Sequence, residues 1–341
     1  MTLEMILFVS IKVIAVVMAV LTGCAYSTLL ERKVVGHMQH RMGPNTAGPY
    51  GLLTPLADAV KLIFKEEIVP NNVEKITYLL APVISFVPAI LTFAVIPFGK
   101  DNTLFGQEVT MVLSDLNIGV LFVFAVTSLG IYGIVLAGWS SGSKYSMMGA
   151  IRSSAQMISY EVGYGLSIIG VIMIANTLSL RELVDAQMGP LWGTISFLPN
   201  WFVFSQPLGF ILFLVCAIAE TNRAPFDMPE AESELVAGYH TEYSSMKFSM
   251  FFIGEYANMI AVSAVGATLF FGGWHGPFLE SMPMLSVVYF VVKVFLFMFF
   301  YIWLRATFPR FRYDQLMAFG WKVLFPLALL NTIVTAFFVI L

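Results

Sequence analysis

Charge is scarce in this chain. Only 11% of its 341 residues are Asp, Glu, Lys or Arg, while 58% are hydrophobic. Soluble domains carry roughly 25% charged residues, so a solvated surface of this size is excluded. Cysteine is scarcer still: Cys24 and Cys216 lie far apart, each inside an apolar stretch. Two thiolates are too few to hold an iron–sulfur cluster or a closed zinc site unaided. Any redox metal then belongs to another chain, and both cysteines read as small buried apolar residues. Internal repeats and low-complexity tracts are missing, which argues for one polytopic domain over residues 1–341. It also argues against a stand-alone secondary transporter, since those often show repeated halves. A net charge of -3 gives no basic surface for nucleic acid.

What the chain has in quantity is apolar runs of about 20 residues, the length that crosses a bilayer as helix. Eight spans are expected, over roughly residues 5–30, 76–98, 117–139, 153–176, 204–220, 245–271, 284–306 and 321–341, the fifth being the shortest. The expected fold class is therefore an all-α integral membrane protein of about eight transmembrane helices. Glu4 precedes the first run, and no A-x-A-like site follows it, so this run reads as a retained helix rather than a cleaved signal.

Lys and Arg set the orientation. Of the 18, Lys12 and Lys293 fall within spans, and Lys100 and Arg181 fall on one side; the remaining fourteen share the other, cytoplasmic side. Its loops are expected at about 31–75, 140–152, 221–244 and 307–320. They hold nearly as many acidic residues, Glu31 and Asp58 among them, so this face is a poor polybasic lipid patch. A face of mixed charge suits a docked protein partner; ordinary solvated loops are the plainer alternative.

Four segments hold residues suited to chemistry. After the first span, a Gly- and Pro-rich stretch leads into L-L-T-P-L-A-D-A-V-K-L-I-F-K-E-E. Here Asp58, Lys61 and Lys65 fall on one helical face and Leu56, Val60, Ile63 and Phe64 on the other. This segment is too short and too charged to span, so an amphipathic helix lying at the membrane interface is expected. It either frames a lateral opening for a lipid-like molecule or simply covers the surface.

The second set is ionisable residues in or near spans: Glu161, Glu220, Glu255, Lys12 and Lys293. A charge in the bilayer core costs at least about 2.5–3.5 kcal/mol on insertion scales. Such groups face a polar interior, either to carry protons or to sit in a static ion pair; the lysines also have snorkelling open to them. The third is the acidic segment 219–235, with Glu220, Asp227, Glu230, Glu232 and Glu234 and only Arg223 as counter-charge. Crowded carboxylates repel, so some hold protons or find partners elsewhere. The fourth, residues 303–315, alternates arginines with aromatics, as a positive-inside anchor does.

These same segments carry a resemblance. The run E-R-K…R-M-G-P-N-T-A-G-P-Y-G-L-L-T-P-L-A-D-A-V-K-L-I-F-K-E-E resembles the first cytoplasmic loop of the H-type membrane subunit of respiratory complex I, the mitochondrial "subunit one" in animals. A-E-T-N-R-A-P-F-D-M-P-E-A-E-S-E-L-V-A-G-Y-H-T-E-Y resembles that family's acidic loop, and F-P-R-F-R-Y-D-Q-L-M its last cytoplasmic loop. The match runs in order through nearly the whole chain.

The resemblance implies a subunit of the proton-pumping NADH:quinone oxidoreductase that forms the quinone tunnel and anchors the hydrophilic arm. It implies that Arg32, Arg41, Asp58 and Lys61 line the quinone entrance, with Arg305 and Arg310 near the tunnel. It implies that Glu161, Glu220, Glu230, Glu232, Glu234, Glu242 and Glu255 form an acidic pathway to the pumping subunits. Quinone is then the bound substrate. Flavin, metal and iron–sulfur clusters are expected on partner chains. The expected partners are the hydrophilic-arm subunits with the terminal cluster and head-group pocket, the neighbouring proton-pumping subunits and the lipid bilayer. The expected location is a bacterial inner membrane, with a mitochondrial or plastid membrane as alternatives. The equivalent subunit of a membrane-bound hydrogenase or other electron-input complex is a second reading.

Overall fold

The computed structural model describes residues 3–104, 107–191, 195–227, 235–277, 279 and 282–341. Its helices are, in order, α1 (Leu3–Met38), α2 (Thr54–Phe64), α3 (Lys75–Leu91), α4 (Gly119–Ser140), α5 (Lys144–Ala175), α6 (Leu180–Asp185), α7 (Phe202–Ser205), α8 (Pro207–Glu220), α9 (Ser245–Phe270), α10 (Leu285–Thr307), α11 (Tyr313–Phe319) and α12 (Phe325–Ile340). Seven helices among the described residues are long and apolar enough to cross a membrane, and α8 is a shorter apolar helix of 14 residues. Two small antiparallel pairs lie in the outer connections: β1 (Asn102–Leu104) with β2 (Gln107–Val109), and β3 (Pro190–Leu191) with β4 (Ile195–Pro199).

The observed boundaries correct three expectations. α1 stays helical for 36 residues, about 54 Å at 1.5 Å per residue, so Glu31, Arg32 and Lys33 are helix residues rather than loop residues. The phase of the helix explains why Glu31 is buried. Val20, Cys24, Ser27 and Glu31 follow at spacings of three or four, form one stripe and are all buried. The expected loop at 140–152 is reduced to a turn, because α5 begins at Lys144. The last span begins early: α11 passes through a π-helical turn at Gly320–Leu324 into α12.

Packing centres on α9. Ala257, Ala261, Ser263, Ala264, Gly266 and Ala267 are all buried along it. Small side chains let helix backbones approach closely where the hydrophobic effect gives little help between helices. A Cβ on Gly133 of α4 would lie 2.6 Å from the backbone nitrogen of Ser85 in α3. Short α8 is fastened by an uncharged clasp: Gln206 Nε2 donates to Thr335 Oγ1 at 2.9 Å, and Asn331 Nδ2 donates to Gln206 Oε1 at 3.1 Å.

At the outer end, Arg181 lies 2.5 Å from Asp101 and 3.7 Å from Asp115. Lys293 Nζ donates to the carbonyls of Phe271, Gly273 and His275 at 2.7, 2.8 and 2.7 Å. It therefore caps the C-terminal end of α9, where a cation is favoured. Lys12 Nζ donates to Thr110 Oγ1 at 2.9 Å and to the Val112 carbonyl. Both lysines expected within spans are thus held by oxygens of the outer connections.

The interfacial helix α2 buries none of its residues. Leu56, Val60, Ile63 and Phe64 all stay exposed, Phe64 at 85%, which leaves an apolar face for lipid. Its far end is tied to the start of α9. Ser245 Oγ donates to the Leu62 carbonyl at 2.9 Å and the Ile68 N–H donates to Ser244 Oγ at 2.9 Å. Next to this tie, Tyr243 stacks on Tyr78 with ring centroids 4.2 Å apart, and Tyr78 Oη donates to the Glu242 carbonyl at 2.7 Å.

Gly133→Ala forces the α3–α4 contact apart, an overpacking cost of about 1–3 kcal/mol. The expected result is less assembled protein in membranes and a lower inactivation temperature. Parent-like values for both would contradict the close α3–α4 contact.

Candidate functional site

Three polar layers lie at the end of the bundle where α1 and α8 finish and α5 and α9 begin. The first is a knot of charge joining α1, α9, α10 and the connection after α8. Arg223 is only 5% exposed. Its Nη1 donates to both carboxylate oxygens of Glu31, at 3.0 and 2.9 Å. Its Nε lies 2.7 Å from Glu255 Oε1, an ion pair without the alignment of a hydrogen bond. Glu31 also accepts from Arg305, and from Tyr256 Oη at 2.6 Å. The Arg223 guanidinium stands 4.5 Å from the centroid of the Tyr256 ring. Two guanidinium groups thus alternate with two carboxylates, and the charges cancel. That balance lets ionised groups survive burial, because an isolated charge there is very costly.

The second layer lies on α4, α5, α8 and α10. Ser153, Gln156, Tyr160 and Ser167 form a buried polar stripe along α5 at helical spacing. Gln156 Nε2 donates to the carbonyls of Ala219 and Phe226, at 3.0 and 2.7 Å, and so staples the chain that leaves α8 to α5. Glu161 accepts from Ser128 Oγ of α4. Glu220, the last residue of α8, is 7% exposed and within electrostatic reach of Glu161. Four buried atoms here lack a hydrogen-bond partner: Gln156 Oε1, Glu220 Oε2, Tyr164 Oη and Tyr301 Oη. Tyr164 interacts electrostatically with both Glu220 and Tyr301. Buried polar groups of this kind are ordinarily satisfied by water.

The third layer is a latch between the connections that follow α8 and α10. Arg310 Nη2 donates to Asp227 Oδ2 at 2.7 Å. Alongside, the Phe311 N–H donates to the Pro225 carbonyl at 3.2 Å, and the Phe226 and Phe311 rings lie 5.7 Å apart. An apolar cavity of about 290 Å³ lies against these rings, bounded also by Gln315, Leu316 and Phe319.

The expected entrance residues fall into two groups. Arg32 of α1 pairs with Asp58 of α2 at 2.7 Å, both partly exposed, and Arg41 and Lys61 are exposed. Arg305 and Arg310 instead belong to the knot and the latch. Of the acidic set, Glu161 and Glu220 come together, Glu255 is drawn into the knot, and Glu242 is half-buried beside the Tyr78 contact. Glu230, Glu232 and Glu234 lie outside the described residues. The expected counter-charge of the acidic segment, Arg223, is taken by Glu31 and Glu255, while Asp227 finds Arg310. No group of three His, Cys, Asp or Glu among the described residues is placed to hold a metal ion.

Sequence reasoning missed Glu31 as a site residue, along with Tyr164, Tyr256, Tyr301 and Ser128. For Glu31 a signal existed in the stripe Val20–Cys24–Ser27–Glu31. For the others nothing in the sequence set them apart from ordinary aromatic or hydroxyl residues of a membrane helix.

Removing Arg223 leaves Glu255 without its cation. Arg223→Met is expected to cost about 3–5 kcal/mol, as breaking a buried pair does. Arg223→Met with Glu255→Gln recovers part of this. Thermal inactivation of solubilised protein measures both, and equal stability of Arg223→Met and parent would contradict the knot.

A family model described as NADH dehydrogenase matches residues 11–336. The chain is 54% identical to the H-type subunit of the NADH-quinone oxidoreductase of Thermomicrobium roseum over 331 residues, covering 95% of this chain and 94% of the relative. It is 51% identical to an H-type subunit of the same enzyme in Koribacter versatilis, covering 97% and 96%. It is 50% identical to the H-type subunit of Rickettsia typhi, covering 96% and 92%. The segments that built the three layers all lie within the matched span. This chain, a multi-pass helical membrane protein, belongs to the NADH dehydrogenase family.

Proposed function

We propose that this chain is the H-type membrane subunit of a proton-translocating NADH:quinone oxidoreductase, set in a bacterial inner membrane. It works as one part of a larger enzyme. The hydrophilic-arm subunits supply flavin, iron–sulfur clusters and the quinone head-group pocket, and dock on the mixed-charge cytoplasmic face. Neighbouring membrane subunits take up the pumping. Its bacterial relatives carry that name, and the layered site supports the reading.

Quinone enters laterally where α2 meets α1 and α9, past Arg32, Asp58, Lys61 and Arg41. The open apolar face of α2 suits a lipid-like tail at this point. Behind it stands the neutral knot of Glu31, Arg223, Arg305, Glu255 and Tyr256. Reducing a quinone takes up protons as well as electrons, so the surrounding carboxylates feel a change of charge. Glu220 and Glu161 are suited to respond: they lie together, Glu220 buried and Glu161 half-buried, and Glu220 Oε2 has no partner among the described residues. Glu230, Glu232, Glu234 and Glu242 extend this path through the acidic loop. Coupling of this kind is a free energy shared between two sites, here carried by proton occupancy.

The observation that carries the reading is Glu220 beside Glu161, at the foot of a loop fastened to the knot. The test is Glu220→Gln and Glu161→Gln in assembled complex in membranes. NADH-driven quinone reduction and proton translocation are recorded together. Both are expected to fall about tenfold or more, within the range lost when a proton-transfer group is removed. Parent rates of both in an assembled complex would make these residues structural and end the proton-path assignment.

A further inference from the structure

At the end of the bundle opposite the knot lies a cavity of about 310 Å³. Its walls come from α6 and from the connections between α3 and α4 and between α9 and α10. Val112, Trp274 and Leu279, all buried, give it an apolar part. Lys100, Asp101, Arg181, Asp185 and His275 give it a polar part. Arg181 and Asp185 stand one turn apart on α6 and so share a face. Two of the four charges satisfy each other: Asp101 lies 2.5 Å from Arg181 and also accepts from the Met111 N–H at 3.0 Å. The other two do not. Among the described residues neither Lys100 nor Asp185 forms an ion pair. The ring of His275 lines the same cavity, and its Nδ1 is buried without a hydrogen-bond partner. Burial and the nearby Lys293 hold this ring below its ordinary value of 6.5, so it is neutral at pH 7. The cavity thus offers one ammonium, one carboxylate and one neutral ring nitrogen that the fold itself leaves unused.

We propose that this cavity binds the head group of an aminophospholipid, with the phosphate toward Lys100 and the amine toward Asp185. A simple anion would leave Asp185 unanswered, and a simple cation would leave Lys100 so. A zwitterion answers both and keeps the balance of Lys100 and Arg181 against Asp101 and Asp185. Small-molecule pockets run from roughly 300 to 1,000 Å³. A cavity at the lower end of that range has room for a head group but not for acyl chains. A path for the chains starts at the cavity wall. Gly99 lines the cavity, and a Cβ on it would lie 2.9 Å from Ser286 Oγ and 3.0 Å from Val287 Cγ2. The Lys100 N–H donates to Ser286 Oγ at 3.1 Å. The wall therefore rests on the first turn of α10. From there Val288, Val291, Val292 and Phe295 are all exposed, and their spacing puts them on one helical face. A soluble phosphoethanolamine has the same charges as the lipid head group; this apolar stripe, running from the cavity into the bilayer, is what selects the lipid.

The test uses assembled complex, purified in mild detergent and washed of loosely held lipid. It is incubated with phosphatidylethanolamine carrying a photoactivatable group on one acyl chain, or with phosphatidylglycerol carrying the same group. Adducts are mapped by mass spectrometry. In the parent, phosphatidylethanolamine labels α10 about tenfold more than phosphatidylglycerol does, the factor that one hydrogen bond between charged groups supplies. Asp185→Lys leaves three cations against one carboxylate in the cavity and turns the preference toward phosphatidylglycerol. Lys100→Gln with Asp185→Asn abolishes the preference, and serves if Asp185→Lys does not assemble. Glu182→Gln removes a neighbouring carboxylate that does not line the cavity and keeps the parent pattern. Excess unlabelled phosphatidylethanolamine removes the labelling, whereas soluble glycerophosphoethanolamine at the same concentration leaves it. Equal labelling by the two lipids in the parent, or a preference that these substitutions at Lys100 and Asp185 do not move, overturns the site. Full displacement by the soluble head group overturns the lipid as its occupant.

Discussion

One end of this helix bundle depends on one guanidinium. Arg223 reaches Glu31 and Glu255, and through Glu31 it is tied to Arg305 and Tyr256. Without it, Glu255 of α9 would lose the cation held against it, and Glu31 of α1 would keep only Arg305. With it, the same residues become the point where α1, α9 and α10 meet. An apolar plug of similar volume would pack as well or better, since buried ion pairs are weak sources of stability. The charges therefore fit a function that needs ionisable groups next to a lateral opening, held ready by mutual neutralisation.

Around that knot the protein separates two kinds of carboxylate, buried or half-buried. Glu31, Glu255 and Asp227 each have a cation in place. Glu220 and Glu161 have a hydroxyl, tyrosines and each other. The first kind fixes geometry and is costly to disturb. The second has a hydroxyl, Ser128 Oγ, on Glu161 and an unpartnered oxygen, Oε2, on Glu220. Gln156 keeps the two in register by holding both ends of residues 219–226 against α5.

Much of the fold was legible. Composition and apolar run length pointed to the class and to seven long apolar helices, with the expected fifth span found as the shorter α8. The expected interfacial helix is α2. The boundaries were less legible where apolar periodicity fades but helix does not stop. After Leu30 the side chains turn polar, yet no residue breaks α1 before Met38, and Lys144 likewise starts α5 within a polar stretch. At the site, sequence marks the ionisable residues but not their partners. Nothing local announces that Arg223 bonds to a residue 192 positions earlier rather than to the glutamates that follow it. Pairing of that kind is decided by which helices adjoin, and helix adjacency is not written in the periodicity of any one segment.

The tie between α2 and the start of α9 has a mechanical consequence. α2 floats on its apolar face, joined to α1 by the Arg32–Asp58 pair at one point and to residues 244–245 at another. The second joint adjoins Glu242 and Tyr243, where the acidic loop ends. A rigid rod pinned at both places has one easy motion, a roll about the line between its pins. The stacked pair Tyr78–Tyr243 lies next to the second joint, so such a roll would be carried past α2 into the packing of α3 against residues 242–245.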